Sequence, residues 1–178
     1  MVKLLKGRSR LILVLGGAAS GKSQAALGLA GQVRPRAFVA TGQALDREMK
    51  VRIERHKATR SPDWETAEVP TDLGKWFICN SKIYHVVVID CLTLWLSNLK
   101  GKRLGDSAIF DVMTDLLLAI RATRARVVIV SNELGLGLVP ATKPVRAFRD
   151  LAGRINQQVA AEADEVYLTI SGLPLRLK

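Results

Sequence analysis

The sequence predicts an α/β domain on a mostly parallel sheet with helices on both faces, and three observations predict it. Short apolar runs of β type recur at residues 11–15, 37–40, 64–69, 86–89, 127–130 and 166–170, with helical segments between them. That rhythm is the one strand and crossover helix impose on a chain. A glycine-rich turn follows the first run directly, and a Ser171-Gly172 turn signal follows the last. Residues 173–177 are therefore expected to fold back as an antiparallel edge strand.

The first run, Leu11-Ile12-Leu13-Val14-Leu15, leads into Gly16-Gly17-Ala18-Ala19-Ser20-Gly21-Lys22-Ser23, which matches GxxxxGK[ST] in the place a phosphate-binding loop occupies. Glycines let successive N–H groups turn inward toward phosphate oxygens, and the following helix presents its positive end. Lys22 then serves the β/γ-phosphates and the Ser23 hydroxyl serves Mg²⁺. The run Val86-Val87-Val88-Ile89-Asp90 is a buried strand ending in an acid. Beside a phosphate loop, Asp90 reads as a carboxylate for Mg²⁺; on its own it would read as a helix cap.

Residues 45–58 read as a helix, with Leu45, Met49 and Ile53 at four-residue spacing and His56 returning to nearly the same face. Spacing leaves two readings for His56. It is a packed or capping histidine at a helix C-terminus, or, within the basic run Arg55-His56-Lys57-Ala58-Thr59-Arg60, a neutral imidazole able to attack phosphorus. In the strand at 64–69, Glu65 and Glu68 point to opposite faces, so one is solvated and the other is placed to meet a ligand. His85 sits at a strand entrance.

Further on, Lys100-Gly101-Lys102-Arg103-Leu104, between Leu99 and Gly105, reads as a charged loop. Ile109, Met113, Leu116, Leu117 and Ile120 make one apolar helix face after a cap at Asp106 or Ser107; Val145, Phe148, Ala152, Ile155 and Val159 make another after Pro144. Both faces are expected in the core. The Gly/Pro-bearing stretch from Asn132 to Pro144 follows a strand and is a candidate substrate loop.

A length of 178 residues fits one domain, taken as residues 11–178 behind a basic extension at 1–10 carrying Lys3, Lys6, Arg8 and Arg10. This start imitates a secretory signal, but cleavage after its small residues would destroy the phosphate loop, so the chain is expected to stay in the cytoplasm. No run approaches the roughly 18 apolar residues of a membrane span. Cys79 and Cys91 lack metal-site or disulfide-framework spacing and are expected to be buried or semi-buried thiols in a reducing compartment. Lys and Arg number 27 against 16 Asp and Glu, a net charge of +11 that draws polyanions. The charge is scattered and aromatics are only 5%, so nucleotides and phosphorylated metabolites are favoured over nucleic acid. A kinase for another small alcohol and a nucleic-acid-stimulated P-loop ATPase are the competing classes.

Taken together, these blocks resemble the adenosylcobinamide kinase/adenosylcobinamide-phosphate guanylyltransferase family of cobalamin biosynthesis. The resemblance rests on the phosphate loop; Ala40-Thr41-Gly42; Asp46-Arg47-Glu48-Met49 with Arg52-Ile53; His56-Lys57, Arg60, Pro62 and Trp64; and Asp90-Cys91-Leu92-Thr93. It continues through the stretch from Asn132 to Pro140 and that from Phe148 to Gln157. The resemblance implies a single P-loop, RecA-like domain that assembles as a homotrimer. It implies phosphorylation of adenosylcobinamide by ATP or GTP with Mg²⁺, then transfer of GMP from GTP onto adenosylcobinamide phosphate through a guanylyl-histidine at His56. The nucleotide contacts it implies are Gly16, Gly17, Ala18, Ala19, Ser20, Gly21, Lys22, Ser23, Ala40, Thr41, Gly42, Lys57, Ala58, Thr59, Arg60, Glu68 and Asp90, with Ser23 and Asp90 toward the metal and Lys22 catalytic beside His56. The family commonly has arginine where this chain has Ala19, and a basic N-terminal extension is not typical of it.

Overall fold

A computed structural model describes residues 9–178 apart from Leu45, Thr59 and Ser81 and the side chains of Arg52 and His56; most of the basic extension, residues 1–8, lies outside the described residues. Strands and helices alternate in the order β1 (Arg10–Gly16), α1 (Lys22–Ala30), β2 (Arg36–Ala40), α2 (Arg47–Ala58), β3 (Trp64–Glu68), α3 (Leu73–Asn80) and β4 (Val86–Asp90). They continue with α4 (Leu92–Gly101), α5 (Asp106–Arg121), β5 (Arg126–Asn132), α6 (Lys143–Glu162), β6 (Glu165–Ile170) and β7 (Leu173–Arg176). The seven strands form one sheet in the order β3-β2-β4-β5-β1-β6-β7. All neighbours are parallel except β6 and β7, which pair antiparallel from Ile170 opposite Leu173 to Tyr167 opposite Arg176. Ser171 and Gly172, with φ of 50° and 83°, make the two-residue turn between them, the pair of positive φ angles that matches strand twist in a tight hairpin.

The two-residue period of the strands divides the core. Leu11, Leu13, Ala37, Val39, Val87, Ile89, Val127 and Ile129 face a large cluster filled by α3, α4, α5 and α6. Ile12, Val14, Phe38, Val86, Val88, Val128 and Val130 face the other side, where Ala26 and Ala30 of α1 close the cluster with Trp64 and Cys91. Helices thus cover both faces, but unequally. The five apolar residues expected along α5 are all buried.

Four local expectations are corrected. The α5 cap is Gly105, which has no side chain to bond, and Asp106 is the first helical residue, placed to favour the positive helix end. On α6, Ala152, Ile155 and Val159 are buried and Phe148 is partly so, but Val145 is 52% exposed, because the first turn of this helix reaches beyond the core. The charged stretch at 100–104 begins inside α4, which runs to Gly101 and is tied to α5 by Lys100 to Asp106 at 3.2 Å. Cys79 is exposed, since α3 turns Leu73 and Phe77 inward, and Cys91 alone is a buried thiol. Burial and the neighbouring Asp90 charge push the Cys91 thiol up to about 11, so at neutral pH it stays protonated and unreactive. In the native protein at pH 8, Ellman's reagent should therefore titrate Cys79 quickly and Cys91 only after denaturation; rapid reaction of both thiols in the folded state contradicts this core.

Candidate nucleotide site

Register brings the functional loops to one edge. Gly16 at the end of β1 pairs with Asn132 at the end of β5 and with Thr169 of β6, while Asp90 of β4 pairs with Ala40 of β2 and with Val130 of β5. The strands stop within about a residue or two of each other, so the turns after β1, β2, β4 and β5 open onto one crevice at the carboxyl end of the sheet, where open α/β folds bind ligands.

The glycine loop is shaped by contacts that side chains would block. A Cβ on Gly16 would lie 2.5 Å from Ser20 Oγ and 2.7 Å from the Thr169 carbonyl oxygen. Gly21 has φ of 90°, and a Cβ there would meet Gly172 Cα at 2.9 Å. The β6–β7 turn thus braces the loop from outside, and Gly172 N–H donates to the Ser20 carbonyl at 2.8 Å. Ala19, exposed, takes φ of 55°. Gly21 caps α1 without any side-chain hydrogen bond, which leaves that helix end suited to an anion. Lys22 Nζ donates to the Gly17 carbonyl at 2.7 Å, folded over its own loop.

Across the loop, Ser23 Oγ donates to Asp90 Oδ2 at 2.8 Å. A hydroxyl and a carboxylate held together fit Mg²⁺, which takes one or two protein oxygens and fills its remaining positions with phosphate and water. Among the described residues no group of three or more His, Cys, Asp or Glu could hold a metal by itself.

The cavity at this pair is lined by Lys22, Ser23, Asp90 and Phe38, together with Ala40, Gly42, Leu94 and Asn132. α2 contributes Met49, Ile53 and Lys57 to the lining, and the turn after it contributes Arg60. The stripe expected on α2 therefore faces this cavity; Leu45 lies outside the described residues. A second hollow shares Lys22, Ser23, Phe38, Arg60 and Asp90 with the first and runs along Ala19, Ser20, Gly21 and Gln24. Ser20, Lys22 and Ser23 are thus gathered with Ala40, Gly42, Lys57, Arg60 and Asp90. Lys57 Nζ pairs with Glu68 at 2.6 Å at the end of β3, while Glu65 turns to the buried Tyr84, whose hydroxyl is pushed up to about 12 by burial and then by its bond to Glu65. Thr41 is fully buried: its hydroxyl donates to the Cys91 carbonyl at 2.7 Å and accepts from the Cys91 N–H at 2.9 Å. It fixes the chain after Asp90 with its side chain. Gly17 and Ala18 are exposed on the loop's outer turn, and Ala58 is exposed at the end of α2. His56 belongs to α2 by its backbone, but its side chain lies outside the described residues, as does all of Thr59.

Phe38, Leu94 and Asn132 are cavity residues that the sequence reading did not single out as nucleotide contacts. Phe38 was accessible to it: two residues before Ala40 on one strand, it shares Ala40's face. Asn132 had a weaker signal, as the last residue of a strand paired with the phosphate-loop strand.

Fold and site define a P-loop nucleotide-binding α/β domain. The model of one family, cobinamide kinase / cobinamide phosphate guanyltransferase, matches residues 12–177. The chain is 38% identical to the bifunctional adenosylcobalamin biosynthesis protein CobU of Salmonella typhimurium, over 94% of this chain and 99% of that protein. It is 39% identical to the protein of the same name from Escherichia coli, with the same coverage. Among solved structures, a KaiC-like protein from Pyrococcus horikoshii superposes with a TM-score of 0.52 at 12% identity, covering 90% of this chain and 71% of that one, a likeness of fold alone. The chain belongs to the cobinamide kinase / cobinamide phosphate guanyltransferase family.

Gly16→Ala tests the geometry directly. The added methyl must displace both the Ser20 side chain and the β6 backbone at Thr169, so nucleotide affinity should fall by about tenfold or more, ~1.4 kcal/mol, as measured by calorimetry with GTP. Unchanged affinity would show that the loop does not shape the site.

Proposed function

We propose that this chain is a bifunctional enzyme that phosphorylates adenosylcobinamide with ATP or GTP and then transfers GMP from GTP to the product, giving adenosylcobinamide-GDP and pyrophosphate. The observation that carries this reading is the joining, in one cavity, of the phosphate loop, the Ser23–Asp90 pair and the basic end of α2, within a chain that matches the family from residue 12 to 177.

In the kinase step the aminopropanol oxygen attacks the γ-phosphorus, the bond to the β-phosphate oxygen breaks, and the hydroxyl proton goes to solvent. The loop N–H groups, Lys22 and Arg60 stabilise the charge that develops on the transferred group, the main source of acceleration in such reactions. Ser23 and Asp90 would hold Mg²⁺, which when bound neutralises charge on the phosphates. In the second step a ring nitrogen of His56 attacks the α-phosphorus of GTP, forming a P–N bond as the bond to pyrophosphate breaks. A phosphate oxygen of adenosylcobinamide phosphate then attacks the same phosphorus and releases the imidazole. One displacement between two anions becomes two in-line displacements, each with a good leaving group. Glu68, which pairs with Lys57 at the end of β3, would supply a ribose or guanine contact in this reading.

The corrinoid lies, in this reading, over residues 133–142, which leave the phosphate-loop edge through a Glu133 N–H bond to the Gly16 carbonyl at 3.0 Å and expose Leu136, Leu138 and Val139. Self-association into a homotrimer has a candidate face in the open β7 edge, where Leu173, Leu175 and Leu177 are exposed.

Supplying adenosylcobinamide with ATP and GTP, separately and together, should give the phosphate and then the GDP derivative by mass spectrometry. α-Labelled GTP should leave acid-labile label on the wild type and none on His56→Ala, which keeps its kinase activity. Absence of label on the wild type, or label persisting in His56→Ala, contradicts the covalent step. Leu138→Asp should raise KM for the corrinoid by about tenfold or more with GTP affinity unchanged, because a charge replaces apolar contact area; an unaltered corrinoid KM would move the substrate elsewhere.

A further inference from the structure

Arg60 and Phe38 line both hollows, and the Arg60 guanidinium carbon sits 3.8 Å from the centre of the Phe38 ring. Its Nη1 is buried and has no hydrogen-bond partner among the described residues. A buried donor left without an acceptor is costly, so a donor held in that state at the lip of a phosphate cavity points to an acceptor that a ligand brings. Burial lowers the Arg60 pKa while the charge of Asp90 raises it, consistent with a cation held in a partly desolvated place.

What holds it there is a stack of rings and cations. The Phe38 ring, 5% exposed, meets Trp64 at right angles with centroids 6.4 Å apart. Arg36 lies over the other part of this assembly, 4.6 Å from the Trp64 ring centre. It is pinned in turn by Asp63, by the Gln32 side chain and by the Gly31 carbonyl. The stack runs from a salt bridge at the far end of β2 to the cavity. A guanidinium with its flat face on a ring has its plane fixed while its N–H groups, which lie in that plane, stay available to oxygen acceptors at its edge.

We infer that Phe38 is a positioning residue that holds the Arg60 guanidinium edge toward the polyphosphate of the bound nucleotide, with Trp64 and Arg36 fixing the ring from behind. This rests on the reading of the cavity as a nucleoside triphosphate site. Phe38 acts through Arg60, and the site needs arginine because a lysine ammonium is a point charge with no face to stack.

The test is GTP affinity by calorimetry for the wild type, Phe38→Leu, Phe38→Tyr, Arg60→Ala, Arg60→Lys and the Phe38→Leu/Arg60→Ala double variant, with thermal melting to verify the fold. Phe38→Leu should lose about tenfold in affinity, and Phe38→Tyr, which keeps the ring, should stay within about twofold of wild type. Arg60→Lys should lose nearly as much as Arg60→Ala, and the double variant no more than Arg60→Ala alone, the non-additivity expected of coupled groups. Wild-type affinity in Phe38→Leu, additive losses in the double variant, or full affinity in Arg60→Lys overturns the assignment. Should Phe38→Leu fail to fold, the Arg60→Lys and Arg60→Ala comparison decides. A wild type that binds no GTP overturns this and the nucleotide reading together; one that binds GTP but leaves the corrinoid unphosphorylated overturns only the substrate, and the variant series still decides the role of Phe38.

Discussion

Parallel pairing of β1 with β5, and of β5 with β4, in one fixed register is the constraint on which the site depends. It ends β1 at Gly16 opposite Asn132 and sets Asp90 one strand further over, opposite Val130. The phosphate loop therefore leaves its strand beside the carboxylate, and Ser23, one residue into α1, reaches Asp90 at 2.8 Å. A one-residue slip would turn Asp90 to the other face of the sheet and remove it from the loop. Both faces of these strands are buried: Leu11, Leu13, Val127 and Ile129 on one side, Ile12, Val14, Val128 and Val130 on the other.

On that frame the electrostatics follow. A glycine turn whose atoms crowd Thr169 and Gly172 cannot take side chains at Gly16 or Gly21, so it presents backbone, and backbone at a helix start attracts anions. Cations surround it from separate elements: Lys22 from α1, Lys57 from α2, and Arg60 from the turn after it. Among the described residues the one carboxylate lining the cavity, Asp90, already accepts from Ser23, which suits it to a metal at the phosphates. Apolar Met49, Ile53 and Leu94 line the same space beside these charges.

Much of this was legible in the residues. The phosphate loop, the acid-ended strand and the antiparallel tail each have a local cause, a left-handed glycine, a buried apolar run or a tight-turn pair, and local causes survive in sequence. The helices α3 and α4 were harder to read. The first has only eight residues, and the second buries Leu92, Thr93, Trp95, Leu96 and Leu99, too broad a face for a clear period. Thr41 could be placed beside the site by resemblance, but only the fold shows its hydroxyl closed around Cys91. The exposure of Cys79 and Val145 likewise depends on where neighbouring elements end, which no short pattern encodes. The Arg36–Trp64–Phe38–Arg60 stack joins residues from two paired strands and a turn, and it exists only once the register is set.

The most direct measurement is a crystal structure with a non-hydrolysable GTP analogue and Mg²⁺. The account predicts the polyphosphate wrapped by the loop of residues 16–23, a cation at Ser23 and Asp90, and the Arg60 edge on a phosphate oxygen. Nucleotide bound in another cleft, with the Ser23–Asp90 pair and Arg60 untouched, would contradict it.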